Sequence, residues 1–295
     1  MELWAAGFNA WGQLEFEKPE VSSSVSDDLG QFTCIMRDGK ICVLKSTFST
    51  TIVGISDRTR AAGSPDDILT NLTEQGKLKS SAIAGNDKIC QLKGNAVIQY
   101  SSAEDYRKGI YETLEDIGAV IQLEAGQTGF TALTTTGKVY SWGDERYGQC
   151  LGREIDEDLP ASKPCIVEDL ADLPNRIIKI SSSGYVTAAL TSANDAYFWG
   201  RGEDPKDLIS AFPTPLDLDG QDILDVAVGF NHIVVLTTER KVFIVGDNGN
   251  GQLGLAIEKS DDWREAPLPL SNGQRVSGIY AGYKNTFVLV EDEMA

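Results

Sequence analysis

The sequence predicts an all-β fold, because one hairpin pattern recurs along the chain and its copies are evenly spaced. A small-residue start leads to an apolar strand, a tight polar turn and a second apolar strand that ends in glycine. The pattern is clearest at residues 125–143, 182–200 and 228–246 and weaker at 29–44, 84–100 and 281–290. Short apolar runs separated by turn residues are typical of hairpins, and successive apolar positions indicate strands buried on both faces.

The hairpin turns recur at intervals of roughly 50 residues, which is typical of a propeller or another repeat array. The turn markers are Gly39, Gly94, Gly137, Asn194, Arg240 and Glu293. The last copy lacks a second strand, and residues 3–14 have the register of that missing strand. We therefore expect a closed propeller of six repeats, in one domain over residues 1–295, with the N- and C-terminal strands sharing one blade. A degenerate seventh blade within 46–118 is the alternative.

A glycine-rich stretch ends several copies and is interpreted as architecture. It reads VYSWGDERYGQCLG at 139–152 and VFIVGDNGNGQLGL at 242–255. A phosphate-binding loop is excluded, because no G-x-x-x-x-G-K-[ST] motif and no βαβ unit surround these glycines. Trp142 and Trp199 are expected to wedge between blades with their N–H groups bonded. The glutamines of the motif are expected to bond backbone in the loops: Gln13, Gln149 and Gln252.

Charge and composition limit the class of partner. The chain has 26 basic and 44 acidic residues and a formal net charge of −18, which disfavours general nucleic-acid binding and favours a basic protein partner. The sequence has no apolar run of about 18 residues that would predict a membrane span and no secretory signal, so we expect the cytosol or the nucleus. The five cysteines form no C-x-x-C pair, which argues against a disulfide framework or a zinc ribbon.

The sequence predicts no catalytic, cofactor or metal site. His232 is the one histidine, and it lies inside a predicted strand, where a buried hydrogen-bonding role is expected. No G-x-S-x-G elbow accompanies it. The acidic run that includes Glu154, Asp156, Glu157 and Asp158 is interpreted as a solvated face. We therefore expect a protein that is not an enzyme.

The candidate partner-binding residues lie in segments that vary between the repeats, because propellers bind through their loops. One segment is the insert within the 139–152 motif, and the other lies in the linking stretch 256–274, where an aromatic side chain stands beside charges. The candidates are Asp144, Glu145, Arg146, Tyr147, Asp261, Asp262 and Trp263. A further linking stretch, 101–117, has Ile110, Leu114 and Ile117 at helical spacing, which predicts a short helix.

Residues 125–152 and 228–254 resemble the repeat of the regulator of chromosome condensation family, whose fold is a β-propeller, typically of seven blades. In length and in its lack of tails the chain looks like the fungal alpha-tubulin suppressor, or killer-toxin-insensitivity, propellers. That group pairs with a small CSL-type zinc protein in diphthamide biosynthesis and in Elongator-dependent modification of tRNA wobble uridines. The resemblance therefore implies a cofactor-free scaffold that is monomeric within a heteromeric complex. The alternative is a nucleotide-exchange factor for a Ran-like small GTPase, as in the founding member.

Overall fold

The computed structural model describes residues 1–16, 27–201 and 209–293 of the chain. The strands are β1 (Glu2–Gly7), β2 (Leu29–Arg37), β3 (Ile41–Ser46), β4 (Thr50–Ile55), β5 (Arg58–Gly63), β6 (Ser81–Ile83), β7 (Ile89–Lys93), β8 (Ala96–Tyr100), β9 (Glu112–Leu114), β10 (Val120–Ala125), β11 (Gly129–Thr134), β12 (Val139–Gly143), β13 (Cys165–Ile166), β14 (Ile177–Ser183), β15 (Val186–Thr191), β16 (Ala196–Gly200), β17 (Thr214–Pro215), β18 (Ile223–Val228), β19 (His232–Thr237), β20 (Val242–Asp247), β21 (Lys259–Glu265), β22 (Gln274–Ala281) and β23 (Asn285–Asp292). The α-helices are α1 (Asp67–Glu74), α2 (Ala103–Lys108) and α3 (Glu168–Ala171), and 3-10 helices span Leu78–Ser80 and Glu145–Leu151.

These strands form six antiparallel sheets, which we call blades. The first blade is β22-β23-β1-β2, the second β3-β4-β5, the third β6-β7-β8-β9, the fourth β10-β11-β12-β13, the fifth β14-β15-β16-β17 and the sixth β18-β19-β20-β21. The six blades fall into two compact units of the chain. Unit 1, residues 1–73 and 221–295, holds the first, second and sixth blades, and unit 2, residues 74–220, holds the other three. The prediction of six repeats is confirmed for the described residues, while a single domain and a closed ring stay predictions.

The two ends of the chain share the first blade, as the sequence predicts. β1 lies between β23 and β2, with Glu2 opposite Val290 and Gly7 opposite Asn285. Gly7 has φ +124°, and an added Cβ would collide with the carbonyl oxygen of Lys284, so only glycine fits where β1 ends. Because β1 is an inner strand of its sheet, both of its backbone edges are paired, and Leu3, Ala5 and Ala6 are fully buried.

The predicted hairpin at 29–44 is wrong. β2 pairs with β1, and β3 pairs with β4, so the Asp38–Gly39 turn connects two blades instead of two strands of one blade. The second blade has its hairpin further on, between β4 and β5, where Ser56 takes a positive φ of 50°. The error has a physical reason: an Asp-Gly turn between apolar strands is a strong local hairpin signal, whereas the partner that completes the sheet is distant in sequence. No glycine follows Ser56, so the sequence contains no comparable hairpin signal at this turn.

The predicted helix at 101–117 is partly wrong. α2 is six residues long, begins after the N-cap Ser102 and ends at Gly109, which has φ +69°. Ile110 therefore lies beyond the helix and is exposed, whereas Leu114 belongs to β9. The helical spacing of the apolar residues was a coincidence, because the glycine at the C-cap stops the helix before the first of them.

The hydrophobic core of each unit lies between adjacent blades. Within unit 2, Trp142 packs with residues of the third and fourth blades, and Trp199 with residues of the fourth and fifth. The predicted wedges are therefore observed. Nε1 of Trp142 donates to Oε1 of Gln99 at 2.9 Å, but within the described residues Nε1 of Trp199 has no hydrogen-bond partner. The expectation of a bonded N–H is confirmed for the first tryptophan and wrong for the second.

A one-residue register shift recurs in the first strand of five blades. It lies between Val43 and Lys45, Val120 and Gln122, Ile177 and Lys179, Ile223 and Asp225, and Val276 and Gly278. A bulge of this kind re-aims the side chains that follow it. In the fourth blade Gln122 reaches the fifth, where its side chain accepts from N of Ile180 at 2.9 Å and donates to O of Ile180 at 2.6 Å. The bulge of the fourth blade thus helps to join it to the fifth.

Candidate partner-binding surfaces

Asp144, Glu145 and Arg146 form a compact turn directly after β12. Asp144 caps the 3-10 helix Glu145–Leu151, and its Oδ1 accepts from the backbone N of Arg146 at 3.0 Å. The guanidinium of Arg146 lies 2.5 Å from Oδ2 of the same carboxylate. These hydrogen bonds from Arg146 lower the pKa of Asp144 to about 2, so the carboxylate is ionised at neutral pH. Glu145 and Arg146 are exposed.

Tyr147 stacks on Tyr185, which lies between β14 and β15, with ring centroids 5.4 Å apart. Tyr147 is half-buried. Part of the surface of this predicted contact residue is therefore already covered within unit 2. Gln149 is exposed. The expectation that it bonds backbone in the loop is wrong, whereas Gln13 and Gln252 accept from the backbone N of Trp11 and Asn250 at 3.0 and 2.9 Å.

Asp261, Asp262 and Trp263 belong to a strand, β21, although the linking stretch that contains them was expected to be a loop. Gly246 pairs with Ser260 and Ile244 with Arg264, so these three residues stand opposite Val245 alone. A bulge of this size on an outer strand of a blade pushes the inserted residues outwards. Asp261 and Asp262 are exposed and Trp263 is half-buried. The structure thus presents two carboxylates beside an indole in unit 1.

The two predicted segments lie in different units, and their role in binding stays a prediction. Within its own unit each has local bonds, an N-cap and an ion pair in the first segment and strand pairing in the second. The sequence pattern located both segments but gave no information about these local bonds, which depend on side-chain geometry.

Arg153 is a feature that sequence reasoning missed. Its side chain is buried, and it donates at 2.9–3.3 Å to five backbone carbonyls, one in β12 and four in the segment between β12 and β13. The acceptors are Ser141, Glu154, Leu159, Pro160 and Lys163. Burial lowers the pKa of Arg153, yet five carbonyl dipoles replace the water that the guanidinium loses. A single arginine after the motif glycine gives no sequence signal for such a role.

The loop around Arg153 presents acidic side chains. Glu154, Asp156, Glu157 and Asp158 are exposed. Oδ1 of Asp156 accepts from the backbone N of Asp158 and of Leu159, each at 2.8 Å, which fixes the tip of the loop. We call residues 154–158 the acidic loop. Its carboxylates are therefore presented by a backbone held from inside by Arg153.

His232 is buried, as predicted, but it is not a hydrogen-bonded core histidine. Only 1% of its surface is exposed, and within the described residues neither ring nitrogen forms a hydrogen bond of good geometry. Burial lowers the pKa of His232 to about 4, and the backbone of Asn285 and the charge of Asp247 oppose the shift only in part. The imidazole is therefore neutral at physiological pH. The ring fills the space that a side chain on Gly229 would need.

The described residues bring together no group of three or more metal-ligating side chains. Burial raises the pKa of Cys150 to about 11 and that of Cys90 well above its usual range, so both thiols stay protonated at neutral pH. Among the helices that the structure describes, none is long and apolar enough to cross a membrane.

Comparison with known proteins identifies the repeats. Models of the regulator of chromosome condensation (RCC1) repeat match residues 120–149, 223–252 and 136–190. The Drosophila melanogaster regulator of chromosome condensation is 34% identical over 191 residues, which are 62% of this chain and 33% of that protein. The human regulator is 32% identical over 147 residues, which are 47% of this chain and 34% of that protein. The matched part thus spans about a third of these relatives.

Solved structures agree on the fold. Prp20p from Saccharomyces cerevisiae, described with its binding properties to Gsp1p and histones, matches the whole chain and 92% of that protein with a TM-score of 0.71 and 13% identity. Human WBSCR16 matches the whole chain and 99% of that protein with a TM-score of 0.60 and 15% identity. At such identity the likeness concerns the fold alone. Together with the matched RCC1 repeats, it shows an all-β propeller fold that is similar to RCC1 structures.

Proposed function

We propose that this chain is a non-enzymatic interaction subunit that binds a basic protein partner through preformed acidic segments. The RCC1-like fold supports an interaction or regulatory role, and Prp20p, which has a similar fold, binds Gsp1p and histones. The net charge of −18 favours a partner of opposite charge. The predicted segments 144–147 and 261–263 and the acidic loop all present carboxylates to solvent.

The observation that carries the proposal is the construction of the acidic loop. A solvated acidic run needs no internal support, but this one is held by a buried arginine with five acceptors. Holding a loop in its bound conformation lowers the entropy cost of association. The charges are thus preorganised in the way that a binding surface requires.

For the partner we propose a small CSL-type zinc protein, with a shared role in diphthamide biosynthesis and tRNA wobble-uridine modification, in the cytosol or the nucleus. This finer proposal rests on resemblance to the killer-toxin-insensitivity propellers. Nucleotide exchange on a Ran-like GTPase is the alternative, and it makes a different kinetic prediction. An exchange factor accelerates nucleotide release, whereas a scaffold leaves the release rate unchanged.

The test uses the purified full chain with the purified zinc protein and, separately, with a GTPase loaded with fluorescent nucleotide. We expect a one-to-one complex with the zinc protein and no change in nucleotide release. Accelerated release together with a stable nucleotide-free complex would replace the proposal by the exchange factor. Failure of both complexes would remove both finer assignments.

The acidic loop is tested with charge-neutralising variants. The variant Glu154→Gln, Glu157→Gln and Asp158→Asn should weaken binding about tenfold at low salt, and the loss should shrink as salt rises. The matched control removes three exposed charges elsewhere in unit 2: Glu104→Gln, Glu115→Gln and Asp116→Asn. Equal losses in the two variants would show that net charge, not the acidic loop, attracts the partner.

A further inference from the structure

Five aromatic side chains of unit 1 form one continuous surface, which we call the aromatic platform. Its members are Phe8, Trp11, Phe48, Phe230 and Tyr283. Phe48 lies at its centre, with ring centroids 5.0 Å from Phe8, 6.4 Å from Trp11 and 5.5 Å from Tyr283. Phe230 extends the surface by stacking on Tyr283 at 4.4 Å. Only Phe48 lies outside the repeat copies, but the predicted contact segments include none of the five.

Four loops of three blades supply the platform. Phe48 lies between β3 and β4, Tyr283 between β22 and β23, and Phe230 between β18 and β19, while Phe8 and Trp11 follow β1. Each of these loops joins strands at the same end of its blade. The aromatic side chains meet because three blades of unit 1 place such a residue in an equivalent loop, which a linear reading of the sequence does not reveal.

The backbone of the platform is locked. N of Phe8 donates to O of Lys284 at 2.9 Å, and N of Phe230 donates to O of Tyr283 at 3.1 Å. The Gln13 side chain accepts from N of Trp11 at 3.0 Å and donates to O of Phe48 at 3.2 Å. The rings are therefore held in place before any partner arrives, which lowers the entropy cost of docking.

The platform is not a buried core. Trp11 is 52% exposed and Phe48 is 45% exposed, although both touch other rings of the platform. Exposed clusters of large aromatic side chains are enriched at sites of recognition, where a partner covers them. The question is which chemistry fits the rings.

Carboxylates gather at one side of the platform, around Asn9, the neighbour of Phe8. Oδ1 of Asp28 accepts from the backbone N of Asn9 at 2.8 Å, and Oε1 of Glu15 accepts from its Nδ2 at 3.2 Å. The backbone O of Asp27 accepts from the same Nδ2 at 3.4 Å. Glu15, Asp27 and Asp28 are all exposed. A planar cation is attracted both by aromatic faces and by carboxylates, and the platform presents these two groups side by side.

We propose that the aromatic platform docks an arginine-bearing peptide segment of a protein partner. A guanidinium stacks on an aromatic face and also forms two parallel hydrogen bonds to a carboxylate, whereas an ammonium acts as a point charge. The site therefore prefers arginine to lysine. This inference rests on the proposed role in protein binding, but it does not depend on the identity of the zinc protein.

Nucleic-acid bases also stack on aromatic side chains, but they bring phosphates with them. Three exposed carboxylates beside the platform repel such a backbone. The ammonium of Lys284, next to Tyr283, donates to Oδ1 of Asn250 at 2.8 Å and adds one positive charge against these three negative ones. The charges of the site thus favour a cationic peptide over a single-stranded nucleic acid.

The test measures binding of three labelled 12-residue peptides to the full chain by fluorescence anisotropy. The peptides alternate leucine with arginine, lysine or glutamate. We expect the arginine peptide to bind at least threefold more tightly than the lysine peptide, and the glutamate peptide not to bind. The variant Trp11→Ala/Phe48→Ala should weaken the arginine peptide at least tenfold, although it keeps every charge. Glu15→Gln/Asp27→Asn should reduce the preference for arginine and the dependence on salt.

The control variant is Ile110→Ala/Tyr111→Ala, which removes two exposed apolar side chains of unit 2 and should leave peptide binding unchanged. Equal binding of arginine and lysine peptides, or full binding by Trp11→Ala/Phe48→Ala, would overturn the inference. So would sedimentation that shows a dimer lost in that variant, because a second copy would then occupy the platform. The zinc-protein experiment is separate, so its failure with intact peptide binding would reject only the proposed partner.

Discussion

Trp142 and Trp199 occupy the same position in consecutive blades, yet only one has a hydrogen-bond partner. Trp142 stands opposite Phe130 in the fourth blade and Trp199 opposite Thr187 in the fifth, each one residue before the glycine that ends its strand. At most 1% of either residue is exposed. The equivalent residue of the third blade is Gln99, which stands opposite Cys90 and accepts from Trp142. For Trp199 the preceding equivalent is Trp142, and an indole offers no acceptor.

The comparison shows that a buried polar group depends on what the preceding blade offers. A tryptophan at the same position of the next blade packs in the same way. Its indole N–H cannot form the same hydrogen bond, because the equivalent residue of the preceding blade is then another indole, which offers no acceptor. The same contrast separates Arg153, with five carbonyl acceptors, from His232, whose ring nitrogens form no bond of good geometry within the described residues. Mutations that remove a satisfied group should therefore cost more than mutations that remove an unsatisfied one.

The largest effect is expected for Arg153→Met. The substitution keeps a long side chain but removes the donor from five carbonyl groups, and those of Ser141, Leu159 and Pro160 belong to buried or half-buried residues. It should therefore lower the free energy of unfolding by about 3–5 kcal/mol. Denaturant unfolding at neutral pH measures the change. Arg201→Met, which replaces an exposed arginine of the same unit, is the control and should change stability by about 0.5 kcal/mol or less. Similar losses for the two variants would mean that the carbonyl contacts contribute little.

The next effect is expected when His232 titrates. Its pKa is about 4 in the folded chain and about 6.5 in the unfolded chain, so the fold favours the neutral ring. The associated stability is complete above pH 6.5 and is lost as pH falls from 6.5 towards 4. The loss should reach about 3 kcal/mol, because each pKa unit corresponds to about 1.4 kcal/mol.

His232→Gln tests this assignment, since it removes the titration and keeps a polar side chain of similar size. Unfolding free energies of both proteins are measured between pH 7 and pH 4. The variant should show a curve flatter by about 3 kcal/mol over this range, whatever its stability at pH 7. Parallel curves would assign the acid sensitivity to other groups, such as carboxylates whose pKa is lowered in the fold.

The sequence predicted the blades best where the glycine motif marks the end of a strand. The hairpins of the fourth, fifth and sixth blades and the shared first blade follow from that motif, because hairpin pairing is local or can be inferred from a missing copy. The second blade was misread, since Ser56 carries a turn that glycine usually carries. Arg153, Gln99 and the aromatic platform could not be predicted, because their contacts depend on which loops and blades become neighbours in space.

The smallest effect sharpens the comparison of the tryptophans. Trp142→Phe and Trp199→Phe remove the same atoms from fully buried sites, but only the first also removes a hydrogen bond. We expect Trp142→Phe to lower the free energy of unfolding by about 1 kcal/mol more than Trp199→Phe does. Gln99→Leu should make Trp142 resemble Trp199, because it leaves the indole N–H without its acceptor.

A double-mutant cycle of Trp142→Phe and Gln99→Leu isolates this bond. The coupling energy between the two sites should be about 1 kcal/mol, and the cycle of Trp199→Phe with Gln99→Leu supplies the control, with a coupling near zero. A coupling below about 0.3 kcal/mol for the first pair would show that the bond at 2.9 Å adds nothing beyond packing. The two tryptophans would then be equivalent in energy as well as in position, and the preceding blade would matter for geometry alone.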